Sequence, residues 1–287
     1  MRMEGGMIDL DSQEWSRALR EGMGARFERF ADGGMLACFR AGPFRVAYPD
    51  FLIGSGSELS PDALASRVEA ARGFGADLVR VQSESVLDDR RVMKVHRLGT
   101  VAIPNLEGWS ARELEKARRA SNRRSRSSLK IRPGRTSDGA ALHRLYRATL
   151  LRHGGALRYS QRYFELIAPH ASLVAELDGQ LCGFVCVGFQ AHRACYMHGA
   201  HDSGARSHYP SDQLFLEMLE TAREKGIRRF DFLPSPPAQQ SLNAYKKAWG
   251  GVDQSLSVSD LALHPVRTHA FTLATKLMNS LASLRKA

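Results

Sequence analysis

Apolar and polar positions alternate with the two-residue period of a β-strand through much of the second half of the chain. SLVAEL (172–177) is an apolar run, and the Asp178-Gly179 dipeptide after it is typical of a two-residue hairpin. QLCGFVCVGF (180–189) carries apolar residues on both faces, which indicates a strand buried on both sides. ACYMHGA (194–200) predicts a third strand. These segments predict consecutive strands of one sheet.

The period then changes to that of a helix, with apolar residues recurring every three or four positions after Ser211 and Asp212. Both residues are favourable N-caps, so we expect the helix to begin there and to end at Gly226. IRRFDF (227–232) alternates again and predicts a fourth strand, closed by the prolines that follow it. A short amphipathic element and a last strand complete the pattern.

Upstream of these elements, LKIRP (129–133) predicts a first strand, and the spacing of apolar residues indicates helices over 137–152 and 160–169. The second half therefore reads β-α-α-β-β-β-α-β-α-β. Strands and helices in this order predict an α/β chain with a mixed sheet.

The first half repeats part of this pattern at an offset of 151 residues. Ser60 then aligns with Ser211 and Gly75 with Gly226, and in both places a helix capped at Ser ends at Gly and leads into an alternating strand. A hairpin pattern precedes each helix. The element order of the second half resembles the GNAT fold, and the repeat therefore predicts two halves of GNAT-like topology, of which the N-terminal one is degenerate.

Four segments follow from this repeat: a degenerate N-terminal half (1–105), a basic connecting helix (106–128), a catalytic half (129–260) and a C-terminal amphipathic helix (261–287). We expect the apolar stripe of the last helix to dock on its own domain, with a partner helix or an anionic membrane surface as the alternatives. The stripe consists of Ala270, Leu273, Leu277, Leu281 and Leu284, and the cations on the other side are Arg267, Lys276, Arg285 and Lys286.

Positive charge is concentrated in one part of the chain. The 287 residues carry a net charge of +11, and residues 111–135 hold ten Lys or Arg against two Glu. This segment is either a solvated helix and linker or a patch that binds an anion. The segment has no aromatic residue, which favours phosphate contact over base stacking. The anion-binding candidates are Arg118, Arg119, Arg123 and Arg124.

The four cysteines form no CxxC motif, and three of them lie in predicted buried strands. Reduced thiols are the expected state, which suits a cytoplasmic protein, with peripheral contact at the inner membrane face as an alternative. His198 and His201 lie close together, but no Cys or Glu completes a ligand set, so we expect no metal.

Three segments together resemble the Fem-type (FemABX-like) transferases and related acetyltransferases of the GNAT fold. Arg118, Arg119 and Ala120 match a basic helix of that family, GIRRFDF matches its "G-x-x-x-F-D-F" strand, and LNAYKKAWGG matches its "L-x-x-F-K-x-x-F-G-G" segment. The resemblance implies a bacterial N-acyltransferase of cell-envelope biogenesis. It also implies that the strands at 194–200 and 227–232 splay apart to hold the acyl donor.

The resemblance also implies roles for individual residues. Backbone N–H groups at 197–199 would polarise the donor carbonyl. Lys246 would stabilise negative charge unless it faces solvent, and Tyr245 would protonate the leaving group unless it is an aromatic core residue. Asp231 would accept the amine proton unless it pairs with a neighbouring arginine. The candidates are Lys246, Tyr245, Asp231 and His198 for catalysis, and Met197, Gly199, Ser211 and Asp212 for donor binding.

The chain departs from acetyl-CoA-dependent relatives before the helix at Ser211. SGARSHYPSDQ stands where those proteins carry a glycine-rich pyrophosphate loop, and Gly204 is its single glycine. The first hypothesis is an N-acyltransferase that moves an acyl group from acyl-CoA to an amine of a sugar, peptide or small metabolite. The alternatives are an aminoacyl-tRNA-dependent transferase acting on a cell-wall or small-molecule amine, and a non-catalytic module that binds nucleic acid or another polyanion.

Overall fold

The predicted strands and helices are present in a computed structural model, which describes residues 5–31, 35–49, 60–83, 86–153, 157–235 and 240–284. The strands are β1 (Ile8–Asp9), β2 (Arg26–Arg29), β3 (Met35–Ala41), β4 (Phe44–Pro49), β5 (Leu78–Ser83), β6 (Val92–Ile103), β7 (Lys130–Pro133), β8 (Ser172–Leu177), β9 (Gln180–Gln190), β10 (Arg193–His201), β11 (Arg229–Asp231) and β12 (Val252–Ala262). The helices are α1 (Gln13–Arg17), α2 (Pro61–Gly73), α3 (Glu115–Arg124), α4 (Gly139–His153), α5 (Gln161–Ala171), α6 (Pro210–Glu224), α7 (Gln240–Lys247) and α8 (Pro265–Leu284).

The chain forms two compact units. The first combines residues 1–22 and 99–153 with 157–254, and its sheet has the strand order β6-β11-β10-β9-β8-β7. β10 and β11 are parallel, and the other neighbours in this order are antiparallel. Positive φ angles at Asp178 (51°) and Gly179 (78°) form the tight turn between β8 and β9, as the dipeptide predicted.

The core of the first unit lies on both faces of β9, which confirms the prediction of a strand buried on both sides. Phe184 packs edge to face against Phe164 of α5, with ring centroids 5.8 Å apart. A second aromatic group joins α6 to the residues that follow β11 and α7, since Phe215 stacks on Phe232 at 5.9 Å and lies 5.7 Å from Trp249.

The second unit combines residues 23–98 with 255–287, and its sheet has the order β2-β3-β4-β5-β12. A hairpin (β3, β4) is followed by α2 and by β5, which is parallel to β4. Ser60 caps α2 by accepting a hydrogen bond from the N–H of Ala63 (3.2 Å). The first unit has the same order in β9, β10, α6 and β11. The predicted tandem of related halves is therefore confirmed.

Each half contains a strand from the other half of the sequence. β6 follows β5 along the chain but pairs antiparallel with β11, whereas β12 follows β11 and pairs antiparallel with β5. The units consequently divide between residues 98 and 99 in β6 and between residues 254 and 255 in β12, whereas the sequence pattern placed boundaries at residues 105 and 260. The N-terminal residues join the first unit because β1 pairs with β9.

Helix α8 docks on the second unit through a face other than its apolar stripe. Phe271 packs on Phe44 with ring centroids 5.5 Å apart, and the hydroxyl of Thr268 donates to the backbone oxygen of Asp77 (2.8 Å). Leu273 and Leu277 are exposed. The expectation that the stripe docks on its own domain is wrong for these two residues, and the side chains of Leu281 and Leu284 lie outside the described residues. No helix within the described ranges is both long and apolar enough to span a bilayer.

Replacing Phe232 by Ala should lower the free energy of unfolding by about 3–5 kcal/mol, because a fully buried ring would be lost from a packed core. Phe232 is 1% exposed and contacts both Phe215 and Phe230. Urea denaturation measures the change. The half-exposed Val252, changed to Ala, is the control and should alter stability by about 0.5 kcal/mol or less. A loss below about 1 kcal/mol for Phe232→Ala would contradict the core assignment.

Candidate active site

The central feature of the site is that β10 and β11 stop pairing after only a few residues. Three residue pairs join these parallel strands, and the last is Cys195 with Asp231. Beyond it β10 continues to His201 with β9 as its partner, while the chain after Asp231 leaves the sheet. The register of β10 against β9 shifts between Tyr196 and His198, which places Met197 in a β-bulge. The strands thus open as predicted, at the backbone of residues 197–199.

Tyr196 covers this stretch of backbone. A Cβ atom added at Gly199 would lie 2.1 Å from the Tyr196 hydroxyl oxygen, so only glycine leaves room for the ring. The ring also packs on Phe215, with centroids 5.1 Å apart. Burial raises the pKa of Tyr196, which keeps the phenol protonated at neutral pH.

The turn after β11 is held at one residue by two charged side chains. Leu233 has a φ of 60°, an uncommon value for a branched residue. Its N–H donates to Oδ1 of Asp231 (2.7 Å), and its carbonyl accepts from Nζ of Lys246 (2.7 Å). The two side chains therefore fix both polar groups of Leu233 and with them the direction of the chain beside the opening.

Asp231 is buried, and Oδ1 also accepts a hydrogen bond from the hydroxyl of Thr100 (2.5 Å). Burial raises the pKa of its carboxyl group. The alternative of a pairing with Arg228 or Arg229 is not seen as an ion pair, because Arg228 pairs with Glu107 and Arg229 donates to Gln254, although the Arg229 charge partly offsets the effect of burial on the Asp231 pKa. Oδ2 of Asp231 receives no hydrogen bond from the part of the chain that the structure describes.

Lys246 is 3% exposed, so the alternative of a solvent-facing lysine is wrong. Besides the Leu233 carbonyl, Nζ donates to Oγ of Ser235 (2.8 Å). Burial lowers the pKa of Lys246 to about 8. The side chain lies in the turn beside the opening rather than in bulk solvent.

Ser211 and Asp212 do not cap α6. The helix begins one residue earlier at Pro210, and its N-cap is Tyr209, which has a φ of 56° and makes no side-chain cap bond. Pro210 suits the first helical position because it has no N–H. The hydroxyl of Ser211 instead lies 2.8 Å from Nδ1 of His201 at the end of β10.

Asp212 is the acceptor of a buried polar cluster that joins three helices. Its carboxylate lies 2.8 Å from the ammonium group of Lys116 and 3.3 Å from the guanidinium group of Arg123, both on α3. The hydroxyl of Tyr245 on α7 donates to it at 3.0 Å. Burial, with the Asp212 carboxylate nearby, raises the pKa of Tyr245. Tyr245 also packs edge to face on Phe215, so it combines a core position with a polar contact.

The predicted anion-binding arginines of α3 are mostly engaged with carboxylates. Arg123 pairs with Asp212, Arg124 with Glu217 and Glu220, and Arg119 with Glu115 one turn away. Arg118 is exposed, and no ion pair is found for it among the described residues.

His198 lies apart from the other catalytic candidates. Its Nε2 is 2.9 Å from the hydroxyl of Tyr163 on α5, and its ring lies among Tyr146, Tyr159 and Phe164. Tyr245, in contrast, packs against α6. Burial lowers the pKa of His198 to about 3, so its imidazole is neutral at ordinary pH.

The structure brings Met197, Gly199, Asp231 and Lys246 to the end of the β10–β11 pairing, and it adds residues that the motifs did not indicate. Tyr196 lies in a predicted strand, three residues before Gly199. A large ring so close in sequence to a glycine was a usable signal that the ring covers the glycine. Thr100 and Lys116 are distant in sequence, and no local pattern marks them. No group of three or more potential metal ligands occurs within the described ranges.

The comparisons with known proteins agree with this geometry. Residues 110–247 match the model of the acetyltransferase (GNAT) domain family. No curated protein gives a significant match.

Solved structures show a shared fold. FemX matches with a TM-score of 0.61 at 15% identity, over 91% of this chain and 94% of that one. L-PGS from Bacillus licheniformis matches with a TM-score of 0.57 at 17% identity, over 90% and 93%. The C-terminal DUF2156 domain of an Agrobacterium fabrum protein assigned as a lysylphosphatidylglycerol synthetase gives 0.59 at 18% identity, over 87% and 88%. The chain thus has the fold of Fem-like GNAT proteins.

A Gly199→Ala substitution should destabilise the protein by about 1–3 kcal/mol, because the added methyl group meets the Tyr196 ring. In the Tyr196→Ala background the same substitution should cost little, so a double-mutant cycle would show strong coupling. Gly99→Ala is the control, since a Cβ there meets nothing within 4 Å. Additive effects of the two substitutions would contradict the proximity of Tyr196 and Gly199.

The buried Lys246 should make stability depend on pH. Between its folded pKa of about 8 and the ordinary value of 10.5, the unfolded chain binds a proton that the folded protein lacks, so stability rises with pH. Relative to Lys246→Met, the wild type should gain about 1–3 kcal/mol from pH 7 to pH 10.5, since one pKa unit corresponds to about 1.4 kcal/mol. Denaturation across this range measures the gain. Lys247→Met controls for the lost charge, and a difference independent of pH would refute the prediction.

Proposed function

We propose that the protein is an N-acyltransferase that moves an acyl group from acyl-CoA to a primary amine of a sugar, peptide or small metabolite. The observation that carries the proposal is the opening between β10 and β11 after three residue pairs. Backbone N–H groups at Met197 and Gly199 that point into such an opening can polarise a thioester carbonyl.

The phosphates of the donor would lie at the N-terminus of α6. No side chain caps this helix: the Tyr209 side chain accepts no hydrogen bond from the first backbone N–H groups. Unpaired N–H groups and the helix dipole favour an anion at this position. Ser211 in the first turn adds a hydroxyl group beside the end of β10.

The amine nitrogen would attack the thioester carbonyl, forming the C–N bond while the C–S bond breaks. Oδ2 of Asp231 would accept the amine proton, and its raised pKa makes it a stronger base than an ordinary carboxylate. The Tyr196 hydroxyl would donate a hydrogen bond to the sulfur of the departing thiolate, because Tyr245 is already engaged with Asp212. Lys246 is a positioning residue that holds the turn at Leu233.

A second candidate is transfer of an aminoacyl group from a charged tRNA to a cell-wall or small-molecule amine. A short 3₁₀ segment, Ser203–His208, precedes α6 where acetyl-CoA-dependent relatives have a glycine-rich loop. Exposed arginines of the basic segment, such as Arg118 and Arg126, would contact phosphates. The ion pairs of Arg119, Arg123 and Arg124 weigh against the third alternative, a non-catalytic polyanion-binding module.

The thermal unfolding midpoint with acetyl-CoA and with a longer acyl-CoA tests the donor. A ligand at about 100 times its Kd adds about 2.7 kcal/mol of stability. At this chain length each kcal/mol raises Tm by roughly 2–4 °C. We expect a shift with acyl-CoA and none with ATP, which serves as the control for charge. The same shift with ATP would reject a specific acyl-CoA site, and acylation dependent on charged tRNA would establish the second candidate.

Once an acceptor is identified, Asp231→Asn should reduce kcat by about 10²–10⁴-fold while the acyl-CoA shift is retained, as expected for loss of a general base. Thr100→Val removes a hydrogen bond to the same carboxylate and is the control for local structure. Full activity of Asp231→Asn would remove the residue from the proposed reaction.

A further inference from the structure

Helix α8 presents an apolar face that the described residues leave uncovered. Val266, Leu273 and Leu277 are 83%, 60% and 65% exposed. Together with Ala270, these residues follow one another at intervals of four, three and four positions. This spacing places all of them on one side of a helix of 3.6 residues per turn.

The opposite side of α8 is already used. Thr268 donates to the Asp77 backbone oxygen, Arg267 pairs with the Asp77 carboxylate, and Phe271 packs on Phe44. The helix therefore cannot bury its apolar face by rotating without losing these contacts. The exposed face requires an occupant other than the surface on which α8 docks.

The charge of the helix indicates which occupant fits. From residue 261 to residue 287 the sequence has no Asp or Glu, while it carries Lys276, Arg285 and Lys286 besides the paired Arg267. Lys276 and His269 are exposed and lie on the same flank of the apolar face. A helix with an exposed apolar face, no acidic residue, and cations at Lys276 and directly after Leu284 has the character of helices that bind in the plane of an anionic lipid surface.

We propose that α8 attaches the protein to the surface of an anionic bilayer. Val266, Leu273 and Leu277 insert at the level of the headgroups, and Lys276 contacts lipid phosphates. A second copy of the chain is a poorer occupant, since two such helices would bring like charges together with no carboxylate to pair them. The attachment is independent of the proposed acyl transfer.

Flotation with lipid vesicles tests the attachment on the full-length protein. Vesicles of phosphatidylcholine with phosphatidylglycerol should bind the wild type, and vesicles of phosphatidylcholine alone should not. Leu273→Glu/Leu277→Glu should reduce binding by about tenfold or more, because both side chains would lose their apolar insertion. Lys276→Glu should weaken binding and Lys276→Arg should preserve it.

Leu151→Glu is the matched control, since Leu151 is 79% exposed on α4 and lies outside α8. This variant should bind like the wild type, and thermal unfolding should show that every variant is folded. Unchanged binding by the double variant, or equal binding to neutral vesicles, would overturn the proposal. So would a dimer, seen by sedimentation equilibrium, that the double variant abolishes, because a second copy would then cover the face.

Discussion

The parallel contact between β10 and β11 is the constraint on which the rest of the site depends. Parallel strands that continued to pair would satisfy each other's backbone groups and leave no opening. Here the contact ends at Asp231, and the bulge at Met197 displaces β10 from regular register. Beyond this point β10 keeps only β9 as its partner strand, so its other edge is open to a ligand with hydrogen-bonding groups.

Buried charges maintain the opening. Asp231 and Lys246 hold the N–H and the carbonyl of Leu233, and Asp212 links α6 to α3 and α7. Each of these charges costs free energy to remove from water, and removing one partner would leave the other unsatisfied. The members of each cluster are therefore expected to act together, and replacing one of them by an apolar residue should lower stability.

Local signals in the sequence predicted the parts of the fold that depend on neighbouring residues. Asp178-Gly179 specifies a hairpin turn through its own backbone, and Ser60 caps α2 through the N–H of Ala63. The partners of β6 and β12 depend on contacts far apart in sequence, which no periodicity encodes. Long-range contacts also decide between the two interpretations of Lys246, a catalytic residue or a solvent-facing lysine. Asp212 has the residue type of an N-cap, but the helix begins at Pro210 after Tyr209.

The exchange of strands between the halves has a consequence for synthesis on the ribosome. β5 is made early, but the strand that covers its edge begins to pair at Ser257, about 170 residues later. At 5–20 residues per second that interval is roughly 10–35 s. During it the nascent chain carries an open strand edge, which is a template for wrong pairing with another chain. Chaperone binding to this edge, or a lower yield of correctly folded protein when translation is slowed, would be the cellular sign of that interval.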